Sequence, residues 1–301
     1  MPEKQKIALI FNPVAGTSRQ NRLWIEKFKI KIQKKEEFDF QVFETGFSGH
    51  AKDLAKMVSE NEFHRCLAMG GDGTMNEVAQ GLLGSETALG LIPVGSGNGL
   101  ARHLGYSMHP EKAFEQCIEA PFAKMDTGKC GQKYFFLAAG FGFEGVVAHA
   151  FSQQKGRGFF QYLLAGAKAW VAYKAQEYLV KIEDKSFEME AFTFTIANGS
   201  QYGNNARIAP GASVCDGLLQ WVCIRPFNFW ESPRLFFQLM NGKILKSDKC
   251  RTDGARNVAV EFVKPQMGHL DGEPVWLENE TQFEILPAVL KVVSPQKISQ
   301  I

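Results

Sequence analysis

The sequence predicts an α/β amino-terminal domain followed by a mainly β domain. Up to about residue 126, short apolar runs alternate with segments of helical spacing. Three of the early runs end in turns rich in glycine or broken by Asn-Pro. Beyond Asp126, β-type runs dominate.

The first strand is expected at residues 7–11, an apolar run stopped by Asn12-Pro13. Gly16 and Thr17 lead into a helix near 19–35, where Phe28, Ile30 and Ile32 alternate as a strand would. A strand at 39–44 and a helix near 49–59 follow. Residues 65–69 read as a buried strand ending at Gly70 and Gly71. Met75, Val78, Ala79, Leu82 and Leu83 then keep helical spacing, which predicts a helix over 74–83 that Thr74 can cap. A strand at 88–92 runs into Pro93-Val94-Gly95-Ser96-Gly97-Asn98-Gly99. After Asp126 strands are expected at 134–139, 179–182, 192–197, 218–224, 258–263, 282–285 and 290–293. One helix near 159–174 and a shorter one near 232–245 interrupt them. The domains are therefore 1–127 and 128–301, with the cleft between them as the expected active site. The last strand is left free to return to the first domain.

The turn after the third strand carries the chemistry. Gly70, Gly71 and Gly73 let the backbone turn sharply and approach a ligand. The helix N-terminus behind them presents N–H groups and a partial positive charge, which suits a phosphate. Asp72 beside a phosphate is repulsive unless a cation lies between, so it implies Mg²⁺ or a proton-accepting task. The plainer reading is an acidic residue complementing its own helix dipole. Three βα turns of this kind fit loops gathered at the carboxyl edge of one parallel sheet, where open α/β folds bind ligands.

Composition agrees with an enzyme core. Apolar residues make up 45% of the 301, enough to bury substantial cores. The net charge of +2 gives no basic footprint for nucleic acid. Six cysteines without a Cys-x-x-Cys pair read as reduced thiols of a cytoplasmic protein. No apolar run spans a bilayer, and residues 7–11 are too short for a signal-peptide core.

Asn12-Pro13-Val14-Ala15-Gly16, Gly70-Gly71-Asp72-Gly73-Thr74 and Pro93-Val94-Gly95-Ser96-Gly97-Asn98, in this order and spacing, resemble the catalytic domain shared by diacylglycerol kinases, sphingosine kinases and bacterial soluble lipid kinases. The likeness continues through Asp126-Thr127-Gly128, Gly140-Phe141-Gly142-Phe143-Glu144, Asn198-Gly199, Asp216-Gly217 and Asp271-Gly272-Glu273. It covers nearly the whole chain. It implies a Rossmann-like α/β domain of the NAD-kinase and diacylglycerol-kinase type, then a β-sandwich-like domain. It also implies an ATP- and Mg²⁺-dependent kinase acting on a lipid hydroxyl from the cytoplasm, with transient peripheral membrane contact. The resemblance places ATP on Gly70, Gly71, Asp72, Gly73, Thr74 and Asn76. Thr45 and Ser96 join as phosphate or ribose contacts, Gly97 and Asn98 belong to the same nucleotide site, and Asn12 and Gly16 shape the same mouth. Asp72 and Asp126 would act on Mg²⁺ through water, and Ser213, Asp216 and Leu218 would hold a structural Mg²⁺. Glu273, with Asp271, would accept the hydroxyl proton, although Asp271-Gly272 is also a good hairpin turn.

The acceptor stays open. Gly99 stands where diacylglycerol kinases usually carry Asp, which is closer to the sphingosine kinase form. A neutral diacylglycerol-type acceptor is preferred, with a sphingoid base as the alternative and Glu144 as the carboxylate for its amine. Kinase activity on NAD, or a silent nucleotide- or lipid-binding protein, are readings from other classes. Gly140-x-Gly142-x-x-Gly145 imitates a dinucleotide fingerprint, but Glu144 would sit unfavourably in its phosphate loop. No P-loop is present. Phe159, Phe160, Leu163, Leu164, Ala167, Trp170 and Val171, and separately Phe227, Phe229 and Trp230, read as core or as an acyl-chain entry. The lysines between Lys27 and Lys35 read as a solvated face or a contact for anionic headgroups. Oligomeric state is open, a homodimer included.

Overall fold

A computed structural model describes residues 4–16, 18–153, 166, 170, 173–203 and 206–296. The chain forms two compact units, one running to Met125 and resuming at Ala288, the other spanning Asp126–Pro287.

In the first unit, β1 (Gln5–Phe11), α1 (Ser18–Gln33), β2 (Phe38–Glu44), α2 (His50–Glu60), β3 (Arg65–Gly70), α3 (Asp72–Gly81) and β4 (Ala88–Pro93) alternate. Two more helices follow, α4 (Gly99–His103) and α5 (Pro110–Glu119). The strands lie in the order β2-β1-β3-β4, all parallel. Their carboxyl ends therefore share one edge. β3 and β4 are buried along their whole length, which explains their unbroken apolar sequences. The chain returns at its end, where Val292 pairs parallel with Leu89. Residues 19–33, ambiguous in sequence, are helical, because Ile25, Phe28 and Ile32 form one buried stripe. Ile30, which suggested strand alternation, is exposed.

The second unit is antiparallel. After β5 (Phe122–Cys130), which crosses from one unit to the other, come β6 (Lys133–Phe135), β7 (Ala138–Gly142) and α6 (Phe143–Ser152). Next are β8 (Gln176–Ile182), β9 (Lys185–Ala191), β10 (Thr193–Ala197), β11 (Leu219–Ile224) and α7 (Ser232–Met240). β12 (Cys250–Ala255), β13 (Asn257–Glu261), β14 (Gln266–Leu270), β15 (Glu273–Leu277) and β16 (Glu280–Val293), as far as Pro287, complete it. One sheet has the order β12-β11-β10-β7-β14-β15. The other runs β16-β13-β8-β9. Phe141 and Phe194 of the first sheet meet Phe262 and Phe283 in one core, the filling of a β-sandwich.

Several expectations are revised. The single strand expected at 134–139 breaks after Phe135. The amides of Phe136, Leu137 and Ala138 go to the Asp271 carboxylate instead of a ladder, and the Leu137 carbonyl accepts from Asn198 and Gly199. Residues 282–285 and 290–293 belong to one strand, β16, which passes through Pro287. The helix expected to 245 stops at Met240, where Gly242 takes a left-handed φ of 64°. Thr74 is not the cap of α3: the helix starts two residues earlier, with Gly71 as N-cap. The helix expected near 159–174 lies largely outside the described residues, as does Thr17. All six cysteines are free. Among the described residues no helix is long and apolar enough to cross a membrane.

Candidate active site

The loops after β1, β3 and β4 are knitted to one another. Asn12 does this for the first loop. Its Oδ1 accepts from Val14 N–H at 3.0 Å, and its Nδ2 donates to Thr74 Oγ1 at 3.2 Å. Thr74, buried in the first turn of α3, thus receives Asn12 instead of capping its own helix. Gly16 has φ +63°, and a Cβ there would lie 2.6 Å from the Val94 carbonyl oxygen. Only glycine meets both conditions. Asn21 Nδ2 fastens the same loop through the Ala15 carbonyl at 2.6 Å.

The turn after β3 faces the Ser-Gly-Asn loop across glycine backbone. A Cβ on Gly95 would fall 2.6 Å from Gly71 Cα. Asp72, the first residue of α3, spends both carboxylate oxygens on that loop. Oδ2 accepts from Asn98 N–H at 2.8 Å and Oδ1 from Gly99 N–H at 2.6 Å. Asn98 holds a left-handed φ of 53°, its side chain closing on Gly95 N–H (3.1 Å) and Gly95 O (2.8 Å). Arg102 Nε donates to Gly97 O at 3.0 Å. Asp72 therefore complements the start of α4, not only its own helix. Such charge-assisted bonds contribute about 1.5–3 kcal/mol each.

The first helical bond of α3 runs from Met75 N–H to Gly71 O at 3.0 Å, so the amides of Asp72, Gly73 and Thr74 precede the ladder. Gly70 ends β3 and Asn76 lies half-buried within α3. Thr45 is buried after β2, its N–H bound to Phe11 O at 3.0 Å, and Ser96 is exposed at the loop tip. A cavity of about 420 Å³ opens beside these loops, bounded by Gly16, Asn21, Trp24, Gly95, Asn98 and Arg102. Glu77 was not anticipated. Its carboxylate accepts from Gly49 N–H (2.9 Å) and Ala51 N–H (3.2 Å), capping α2 from the neighbouring helix.

The second unit holds the remaining acidic residues. Asp126 is buried and Oδ2 accepts from Gly217 N–H at 2.7 Å. Asn198 Nδ2 bridges the Asp126 and Phe136 carbonyls at 2.9 and 2.8 Å. Asp216 is exposed and accepts from Leu218 N–H at 3.0 Å, while Ser213 Oγ lies 3.4 Å from Cys215 Sγ. Among the described residues no three Asp, Glu, His or Cys side chains gather to hold an ion. Oxygen atoms are the donors that Mg²⁺, a hard cation, takes, and Ser213, Asp216 and Leu218 offer donors of that kind.

Asp271 has φ 50° and Gly272 φ 86°, a left-handed pair that reverses the chain between β14 and β15. The Asp271 carboxylate accepts from Phe136, Leu137 and Ala138 N–H at 2.7, 2.8 and 3.0 Å. Burial raises its pKa above the usual carboxylate value, against the pull of these three amides and of His269. Glu273 opens β15 and is exposed.

A buried cluster supports this turn. Glu144 Oε1 accepts from Thr193 and Thr195 Oγ1 at 2.8 and 2.9 Å, and Thr195 Oγ1 meets the Tyr202 hydroxyl at 2.7 Å. Glu144 Oε2 lies 2.9 Å from His269 Nε2, whose Nδ1 accepts from Gly272 N–H at 3.2 Å. That acceptor role puts the ring hydrogen on Nε2, which donates to Glu144. His269 had no signal in the sequence; nothing local ties it to a residue 125 positions earlier. The Gly140–Gly145 decoy is explained here too. β7 is antiparallel to both neighbours, and a Cβ on Gly145 would overlap the Met267 carbonyl oxygen, so that glycine serves the packing of α6 on β14.

Comparison with known proteins agrees with this fold. Residues 6–130 match the diacylglycerol kinase catalytic domain, and residues 138–294 match the YegS C-terminal NAD kinase beta sandwich-like domain. A "Probable lipid kinase YegS-like" of Chromohalobacter salexigens is 33% identical over 262 residues, covering 82% of this chain and 81% of that protein. A diacylglycerol kinase of Bacillus subtilis is 27% identical, covering 89% and 90%. A crystal structure of a diacylglycerol kinase from Bacillus anthracis superposes with a TM-score of 0.76 over 98% of both chains, at 18% identity, which speaks for the fold. Two domain models matched in order across the α/β unit and the sandwich mean that the chain belongs to the diacylglycerol kinase and YegS-like family of lipid kinases.

Proposed function

We propose that this protein transfers the γ-phosphate of ATP to the hydroxyl of a diacylglycerol-type lipid and needs Mg²⁺ to do so. The observation that carries the proposal is the Gly70-Gly71-Asp72-Gly73-Thr74 turn at the carboxyl end of β3, at the N-terminus of α3 and interlocked with the Ser-Gly-Asn loop. The curated relatives named above as lipid or diacylglycerol kinases support it.

Phosphoryl transfer asks the protein mainly to position phosphates, neutralise charge and orient an alcohol. In this reading the amides that open α3, with Ser96 and Gly97, hold phosphate oxygens. Asn12, Gly16, Thr45, Asn76 and Asn98 shape or line the nucleotide mouth. Asp72 and Asp126 would hold Mg²⁺, and Asp216 with the oxygens of Ser213 and Leu218 would hold a second, structural Mg²⁺. Bound Mg²⁺ supplies neutralisation of the charge on the phosphates. Glu273 accepts the hydroxyl proton. Asp271, clamped by three amides, positions the turn that carries Glu273.

The engagement of Glu144 favours a neutral acceptor over a sphingoid base. A cationic amine would have to be desolvated to reach a buried carboxylate that already accepts from two threonines and His269. The test is product analysis by mass spectrometry with ATP, Mg²⁺ and, in parallel, dispersed diacylglycerol, sphinganine and NAD. Phosphatidate is expected, and chelation should abolish it. A preference for sphinganine or NAD would overturn the assignment.

His269 offers a sharper check on the turn. His269→Asn keeps an acceptor near the Nδ1 position and gives up Glu144. His269→Gln keeps the reach to Glu144 and gives up Gly272. One hydrogen bond is worth about 0.5–1.5 kcal/mol net, so kcat should fall about three- to tenfold in the Gln variant and less in the Asn variant. The KM for ATP should hold in both. Equal losses would remove His269 from the positioning of Glu273.

A further inference from the structure

Phe229, Trp230, Phe236 and Phe237 are 64%, 86%, 44% and 67% exposed. Single exposed apolar residues are ordinary, but four large aromatics within nine residues are not. Their geometry makes one surface of them. A capping box between Asn228 and Glu231 starts a short 3-10 helix at Phe229–Glu231, which runs straight into α7 through αR residues at Glu231 and Ser232. Phe229 and Phe236 are seven residues apart, as are Trp230 and Phe237, and two helical turns return each pair to the same side. The opposite side carries Leu235, buried in a core with Ile208, Val222, Ile224 and Ile244. The helix is thus anchored without the aromatics, and Glu231 is further pinned by Lys249 at 3.3 Å.

Charge points to the partner. Between residues 225 and 249 stand five lysines and arginines against two acids, although the whole chain is only +2. Arg225, Arg234, Lys243 and Lys246 are exposed. Exposed aromatic side chains in a stretch with an excess of exposed cationic ones suit the interface of an anionic bilayer, where rings enter the headgroup level and cations meet lipid phosphates. A second copy of this chain would bring the same excess of positive charge against it.

We infer that the aromatic side of residues 229–237 docks on an anionic lipid bilayer. The inference rests on the lipid-phosphorylating reading, since an enzyme whose acceptor stays in the bilayer has to be held at that surface. It adds the element that does the holding.

The test compares wild type with the double variant Trp230→Ser/Phe237→Ser. Sedimentation with phosphatidylcholine vesicles, with and without phosphatidylglycerol, reads binding apart from turnover. Wild type should partition to the anionic vesicles, and the variant about tenfold less or weaker still, from lost apolar burial. Its activity on diacylglycerol in vesicles should fall in step, while activity on a water-soluble short-chain diacylglycerol holds. Unchanged partition of the folded variant would overturn the inference. So would loss of a concentration-dependent dimer with vesicle binding intact, which would give the face to a second copy. Absence of phosphorylation by wild type in both presentations would sink the kinase reading, and vesicle binding would still decide the docking. If the double variant does not fold, quenching by brominated lipid decides instead: a quench in wild type that Trp230→Phe removes supports docking, and an unchanged quench overturns it.

Discussion

Asp72→Asn is expected to lower phosphotransfer by about 10²-fold or more, the usual scale for losing a key electrostatic contact. It should also destabilise the first unit by about 1–3 kcal/mol. The amide is nearly isosteric, yet it is not innocent here. Both Asp72 oxygens accept backbone N–H groups, from Asn98 and Gly99. An asparagine has one oxygen, so its NH₂ would point a donor at another donor. kcat/KM with ATP and a chemical unfolding curve separate the two effects. Near-normal turnover together with lowered stability would leave Asp72 as a clamp on the Ser-Gly-Asn loop and remove it from the chemistry.

Glu273→Gln should have the larger effect on turnover, about 10²- to 10⁴-fold in kcat, the range of a positioned general base. Nucleotide affinity should scarcely change. The turn before it is shaped by the bonds of Asp271 to the amides of residues 136–138 and of His269 to Gly272 N–H. Steady-state kinetics with direct ATP binding decide the matter. A mutant that loses ATP affinity at constant kcat would transfer Glu273 to the nucleotide site.

How much was legible follows from where each signal is stored. β1, β3 and β4 declared themselves because parallel strands buried on both faces need continuous apolar runs. The glycine turns were legible because few residues can turn a chain so tightly. β9, with mostly exposed Lys185–Ala191, and β12, with Thr252, Asp253 and Gly254, carried no such run and were missed. Their strand form comes from partners, β8 for one and β11 for the other. α4 was missed for a related reason: five residues do not sustain a helix, and an acid 27 positions earlier binds its first amide.

The aromatics at 227–230 mark the limit most clearly. Sequence weighed them as core or entry, and the fold divides them. Phe227 packs against Phe192 and Trp170, whereas Phe229 and Trp230 face outward. By itself, then, the sequence determined the α/β-then-β order, the motif-bearing loops and the identity of the acidic residues, because burial period and turn chemistry are local properties. Only the tertiary structure decided what each acid holds: Asp72 the amides of 98 and 99, Asp271 those of 136–138, Glu144 two threonines and His269. A buried carboxylate must find donors wherever the fold brings them, and the distance along the chain leaves no trace in the residues nearby.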